Sequence, residues 1–184
     1  MRRVIANIVG NQCVWLCAVA GAGHGWAWPG VVAAAGYVLW QLAVAPHPRV
    51  EIRLVALALV VGLVVDGVAG SQGWLVYAVP QGVSWLAPVW ILALWAAFAV
   101  MLTVSLKAFQ TRLALASLLG GLGAPLAYLA AARGWGAVEF ATPDWRGIAW
   151  LAFAWALALP LLLHAARTAT AAAPDTGRSH AGAH

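Results

Sequence analysis

The chain has 184 residues, 64% of them hydrophobic and 8% charged, with a mean hydropathy of +0.88. These values lie outside the range of water-soluble domains and exclude a free globular protein of the cytosol. A net charge of +5 would suit nucleic acid, but no basic surface interleaved with exposed aromatics accompanies it, so no nucleic-acid partner is expected.

Apolar runs long enough to cross a hydrocarbon core, about 20 residues at 1.5 Å rise each, occur at 4–22, 27–45, 52–70, 85–105, 113–132 and 146–166. They are continuous rather than alternating, which predicts helices and not a barrel. The expected fold is an all-α polytopic membrane protein with six transmembrane helices over residues 1–167. Residues 168–184, small and polar without apolar periodicity, are read as a disordered cytoplasmic tail.

The first run begins after Arg2 and Arg3, as a secretory signal would. Asn11 and Gln12 interrupt it, and another span follows instead of a soluble domain, so residues 1–22 are read as a helix that stays. Asn7, Asn11 and Trp15 form an i, i+4, i+8 stripe with Gln12 beside it, and Gln41 stands near the inner end of the second helix. Amides so placed favour interhelical hydrogen bonds, with ligand contact as the alternative. Cys13 and Cys17 share a face and are expected to pack as small residues. No further thiol or imidazole accompanies them, so neither a metal nor a cofactor is expected.

The third helix carries Asp66, with Gly62 and Gly70 four residues to either side, on the face expected to pack closely. A carboxylate at that depth costs at least ~2.5 kcal/mol by insertion scales, so Asp66 is expected to be protonated or paired. It is either a proton-titrating or headgroup-recognising group, or a hydrogen bond that locks helices. Tyr128 on the fifth helix lies at a similar depth, where the two can meet. Pro125 near it and Pro88 on the fourth helix would each free a backbone carbonyl, outlining a pocket toward the outer leaflet. Asp66, Tyr128, Asn11, Gln12, Trp15, Pro88 and Trp95 are therefore the candidate ligand-binding residues. Gly120, Gly121 and Gly123 lack the strand and the Lys-Ser/Thr of a phosphate loop and read as close-packing contacts.

Tryptophans recur every fifth residue at Trp85, Trp90 and Trp95, and again 60 positions later at Trp145, Trp150 and Trp155. Five residues turn a helix by about 140° and advance it about 7.5 Å, so each triplet points to three sides and forms no stacking stripe. Gly-Trp pairs at 25–26, 73–74 and 134–135 close the odd-numbered helices. The pattern reads as three antiparallel helical hairpins in the same orientation, an internal repeat. Trp26, Trp28, Trp74, Trp85, Trp135 and Trp145 would form an outer interfacial belt. Arg2, Arg3, Arg49, Arg53, Lys107, Arg112, Arg167 and Arg178 then face the cytoplasm and only Arg133 and Arg146 face outward, which places both termini in the cytoplasm.

The blocks APVWILALWAAFAVMLTVSL (87–106), LLGGLGAPLAYLAAARGWGAVEF (118–140) and LALPLLLHAAR (157–167), with the opening at Asn11, Gln12 and Trp15, resemble the domain of unknown function 2878 family of bacterial inner-membrane proteins. The chain departs from that family's pattern at Asn11, where Phe is expected, and at Ala124-Pro125, where Gly-Pro is expected. The resemblance implies a small multi-pass inner-membrane protein; members of that family are often encoded near genes for membrane fatty-acid modification, an association that makes lipid-modifying enzymes the expected partners. No catalytic signature is present. The expected function is an accessory protein holding a membrane lipid or small apolar ligand between its helices. The alternatives are a small transporter with Asp66 as its coupling or recognition group, and an intramembrane lipid-modifying enzyme.

Overall fold

Proline at the first helical turn, where its missing N–H has no partner to lose, opens two of the helices: Pro29 in α2 and Pro48 in α3. The computed structural model describes residues 1–80 and 86–173. The helices are α1 (Arg2–Gly23), α2 (Trp28–Val44), α3 (Pro48–Ser71), α4 (Val89–Ala99), α5 (Leu113–Trp135) and α6 (Trp145–Ala171). Four of them, α1, α3, α5 and α6, are long and apolar enough to cross a membrane, whereas α2 has 17 residues and α4 has 11. Large apolar side chains cover the outside of the bundle, among them Val60, Leu126 and Leu157. This is the arrangement of a protein dissolved in lipid.

Helices adjacent in sequence make the most extensive contacts, α5 with α6, α1 with α2 and α3 with α4, and α4 also lies against α2 and α1. Small residues let backbones approach. A Cβ on Gly30 would fall 2.6 Å from that of Ala18, and one on Gly120 would strike the Trp155 carbonyl. Gly123 differs from the close-packing expectation: a Cβ there meets open space. Cys13 and Cys17 likewise do not pack, since both are exposed.

At one end of the bundle, α1 and α3 stop at left-handed glycines, Gly25 (φ 82°) and Gly73 (φ 65°). The next N–H reaches back to a helix carbonyl, Trp26 to Gly21 at 2.8 Å and Trp74 to Ala69 at 2.9 Å. In α5 the left-handed residue is Gly136, and the Gly134-Trp135 pair falls inside the helix. Beyond α3 and α5 come two short strands, β1 (Leu75–Tyr77) and β2 (Val138–Phe140), paired antiparallel with Leu75 opposite Phe140. This ribbon was not foreseen in the sequence.

The span expected at 85–105 is shorter in the structure. Trp85 lies outside the described residues, and α4 gives way after Ala99 to turns and a 3₁₀ segment at Lys107–Phe109. Of the residues at the break, Val100 and Leu102 are buried, so their carbonyls need donors from the protein itself. Asn7 Nδ2 donates to Val100 O at 3.1 Å, and Gln110 Nε2 donates to Leu102 O at 3.0 Å. Asn7 also donates to the Tyr37 hydroxyl (2.8 Å) and accepts from Ser105 Oγ (2.6 Å). One buried amide thus ties α1 to α2 and to the broken end of α4.

The boundary expected at residue 168 falls inside α6. Thr168 and Thr170 return their hydroxyl protons to carbonyls one turn back, Thr168 to His164 at 3.1 Å and Thr170 to Ala166 at 2.7 Å. These bonds, with an alanine-rich sequence of high helix propensity, carry α6 to Ala171. Residues from 174 onward lie outside the described ones.

Candidate functional site

Asp66 is fully buried, with 0% of its surface exposed. The bed for it is made by small residues on α3: Gly62 lies so close under the Trp95 indole that no Cβ fits between them. From there Trp95 Nε1 donates to Asp66 Oδ2 at 2.7 Å. The other oxygen, Oδ1, accepts from the Tyr77 hydroxyl at 2.8 Å and from the Tyr128 hydroxyl. Next along α3, the Val65 carbonyl accepts from Trp150 Nε1 at 2.9 Å.

A carboxylate offers acceptors only, and three neutral donors from α4, α5 and β1 converge on this one. The hydrogen-bonding partners that the structure gives the Asp66 carboxyl are all uncharged. Two of the three partners are themselves held by aromatic contacts. Trp95 stacks on Trp155 with ring centroids 4.3 Å apart and planes at 20°, and Phe98 meets Trp155 edge-on at 5.2 Å. Tyr77 stands against Trp90 at 6.2 Å. Tyr77 reaches Asp66 because Gly73 turns the chain back over α3, and strand alternation buries Leu75 and Tyr77 while Val76 points outward. Sequence reasoning passed over Tyr77. The signal available was a Leu-Val-Tyr alternation directly after a Gly-Trp helix end.

On the far side of Trp95 and Tyr128 lies a cavity of about 420 Å³ between α1, α4, α5 and α6. Asn11, Gln12 and Trp15 line it from α1, Trp95 and Phe98 from α4, Gly123 and Tyr128 from α5, and Trp155 from α6. Exposed Gln12, Leu119, Gly123 and Ala130 mark its mouth, on the flank of the bundle between α1 and α5. Toward the ribbon end the mouth is closed, because Gly23 touches the Trp135 carbonyl and Trp15 meets the Trp135 ring edge-on at 5.5 Å.

Five of the seven candidate residues, Asn11, Gln12, Trp15, Trp95 and Tyr128, thus share one cavity wall. Asp66 stands one hydrogen bond behind it, through either Trp95 or Tyr128. Pro88 does not belong to this set. It caps the start of α4, where its carbonyl accepts the N–H groups of Ile91 and Leu92 at 3.0 Å each. Because it precedes the helix, it frees no carbonyl inside it. Pro125, by contrast, does lie within α5. Among the described residues no three His, Cys, Asp or Glu side chains gather as metal ligands would.

The profile of the DUF2878 family, described as a protein of unknown function, matches residues 4–161. The chain belongs to that family. No curated protein and no solved structure matches it. The DUF2878 match takes in Asp66, its three donors and every residue lining the cavity.

Proposed function

We propose that this protein crosses the bacterial inner membrane six times, as three antiparallel helical hairpins with both termini cytoplasmic, and holds the apolar chain of a membrane lipid in the cavity between α1, α4, α5 and α6. In this reading α2 and the α4 segment cross with the four long helices, and the held lipid is presented to lipid-modifying partner enzymes. The observation that carries the reading is the cavity. Its volume falls within the roughly 300–1,000 Å³ of ligand pockets, its walls are apolar and aromatic, and its mouth opens sideways where lipid chains lie.

Gly123 provides the test. A side chain there enters the opening without striking the protein, and replacing glycine within a helix adds helix propensity. Gly123→Phe is expected to fold with undiminished stability and to lose co-purified lipid by about tenfold or more, the change that ~1.4 kcal/mol of lost binding produces. Gly36→Phe on α2, also facing open space but away from the cavity, serves as the control. Equal lipid retention by the two variants, measured by mass spectrometry, would defeat the reading.

The asymmetry of Lys and Arg supports the orientation, eight cytoplasmic against two outside. A cytoplasmic reporter fused beyond Ala171 should be active, and a periplasmic reporter inserted in the 72–80 segment should be active as well. The reverse pattern overturns the topology.

One observation favours a transport reading as the alternative: Tyr128 joins the cavity to a titratable carboxyl. Proton-driven flux of an apolar solute in proteoliposomes, abolished by Asp66→Asn, would replace the holding role with transport.

A further inference from the structure

A second cavity, of about 270 Å³, lies at the end of the bundle opposite the ribbon. The start of α1, the turn before α3, the unwound end of α4 and the last turn of α6 enclose it. Arg3, His47, Glu51, Thr103, Lys107 and Gln110 supply its polar wall.

Glu51 is the unusual member, a carboxylic side chain only 5% exposed. Its Oε1 accepts from Thr103 Oγ1 at 2.5 Å, whereas its Oε2 is buried without any hydrogen-bond partner. Leaving such an oxygen unmatched is unfavourable, and most buried polar atoms avoid it. Arg3 and Lys107 line the same cavity, but neither bonds to that oxygen. The Gln110 amide is already committed to Leu102 O.

The wall therefore carries one unmatched acceptor and two exposed cations. Glu51 Oε2 lacks an N–H donor, and Arg3 and Lys107 on the same wall can hold an anion. A purely anionic ligand would neutralise the bases and leave Glu51 unmatched, while a simple cation would do the reverse. A zwitterion bearing a primary ammonium and a phosphate answers both. The cavity also sits at the ends of the helices, the depth at which phospholipid headgroups lie.

We propose that this cavity binds a phosphoethanolamine group, with its ammonium on Glu51 Oε2 and its phosphate on Arg3 and Lys107. Selection against choline follows from the chemistry, because a trimethylammonium has no N–H to donate. The proposal concerns a different cavity from the one argued to hold an apolar chain and stands independently of what fills that one.

The test is native mass spectrometry of the full-length protein equilibrated in micelles holding equal amounts of phosphatidylethanolamine, phosphatidylglycerol and phosphatidylcholine. The ethanolamine lipid should be retained about tenfold over the other two, as expected for one charge-assisted hydrogen bond. Glu51→Gln, of similar shape, should bring the ethanolamine lipid down to the level of the glycerol lipid. Lys107→Ala, at an exposed position, should lower retention of all three. Excess soluble phosphoethanolamine identifies the source: displacement of the lipid assigns the site to the free compound and failure to displace assigns it to the lipid, and both support the headgroup chemistry. Equal retention of the three lipids by the native protein overturns the proposal, and so does an ethanolamine preference that survives Glu51→Gln. The three-lipid comparison on the native protein decides the matter even if the Gln variant does not fold.

Discussion

Asp66→Leu should lower stability in a detergent-unfolding titration by at least ~2 kcal/mol, while Asp66→Asn should cost much less. Leucine leaves the Trp95 indole N–H and the Tyr128 hydroxyl without their acceptor and leaves the Tyr77 hydroxyl only the long 3.5 Å bond to the residue 66 carbonyl. Three membrane hydrogen bonds at the average of about 0.6 kcal/mol give the lower figure. Orphaned buried donors, at about 1–3 kcal/mol each in soluble proteins, would raise it. Asparagine can keep the network. Its amide oxygen accepts from Trp95, and its NH₂ donates to the tyrosine oxygens, which accept as readily as they donate. If the carboxyl also moves protons or recognises a headgroup, the Asn variant folds normally but loses the lipid phenotype. A Leu variant as stable and as functional as the native protein would show that the converging donors matter to neither fold nor function.

The second large effect is expected at Gly62. Glycine to alanine at an unhindered helix site stabilises by about 0.5–1 kcal/mol, so any loss at Gly62 measures crowding. A Cβ at Gly62 would land on the Trp95 ring. The indole cannot simply retreat, because Trp155 lies stacked on it and Asp66 holds its N–H. Gly62→Ala is expected to destabilise by about 1–3 kcal/mol, the usual range for overpacking, and Gly62→Leu by more. Gly36→Ala, with open space around its Cβ, should be neutral or stabilising in the same assay. If Gly62→Ala matches Gly36→Ala, the close α3–α4 approach does not hold in the membrane.

Helical structure and its location in lipid were readable from the residues because both follow from local rules. A continuous apolar run has no way to satisfy its peptide groups in hydrocarbon except by coiling. That rule located α1, α2, α3, α5 and α6 to within about five residues at each end. It failed at the end of the fourth run, because the sequence there is apolar enough to continue as a helix. The donors that make a break affordable, Asn7 and Gln110, come from other parts of the chain.

The site shows the same division. Asp66 stood out by itself as an ionisable group in an apolar helix flanked by glycines, and depth alone suggested Tyr128 as its neighbour. Trp95 as the donor to Oδ2 depends on how α4 is turned against α3, and Tyr77 depends on a ribbon joining two loops more than 60 residues apart. The unmatched oxygen of Glu51 was invisible in the sequence for a related reason. Whether a polar atom finds a partner is decided by which side chains the fold brings within about 3 Å of it, and no local pattern of residues records that distance.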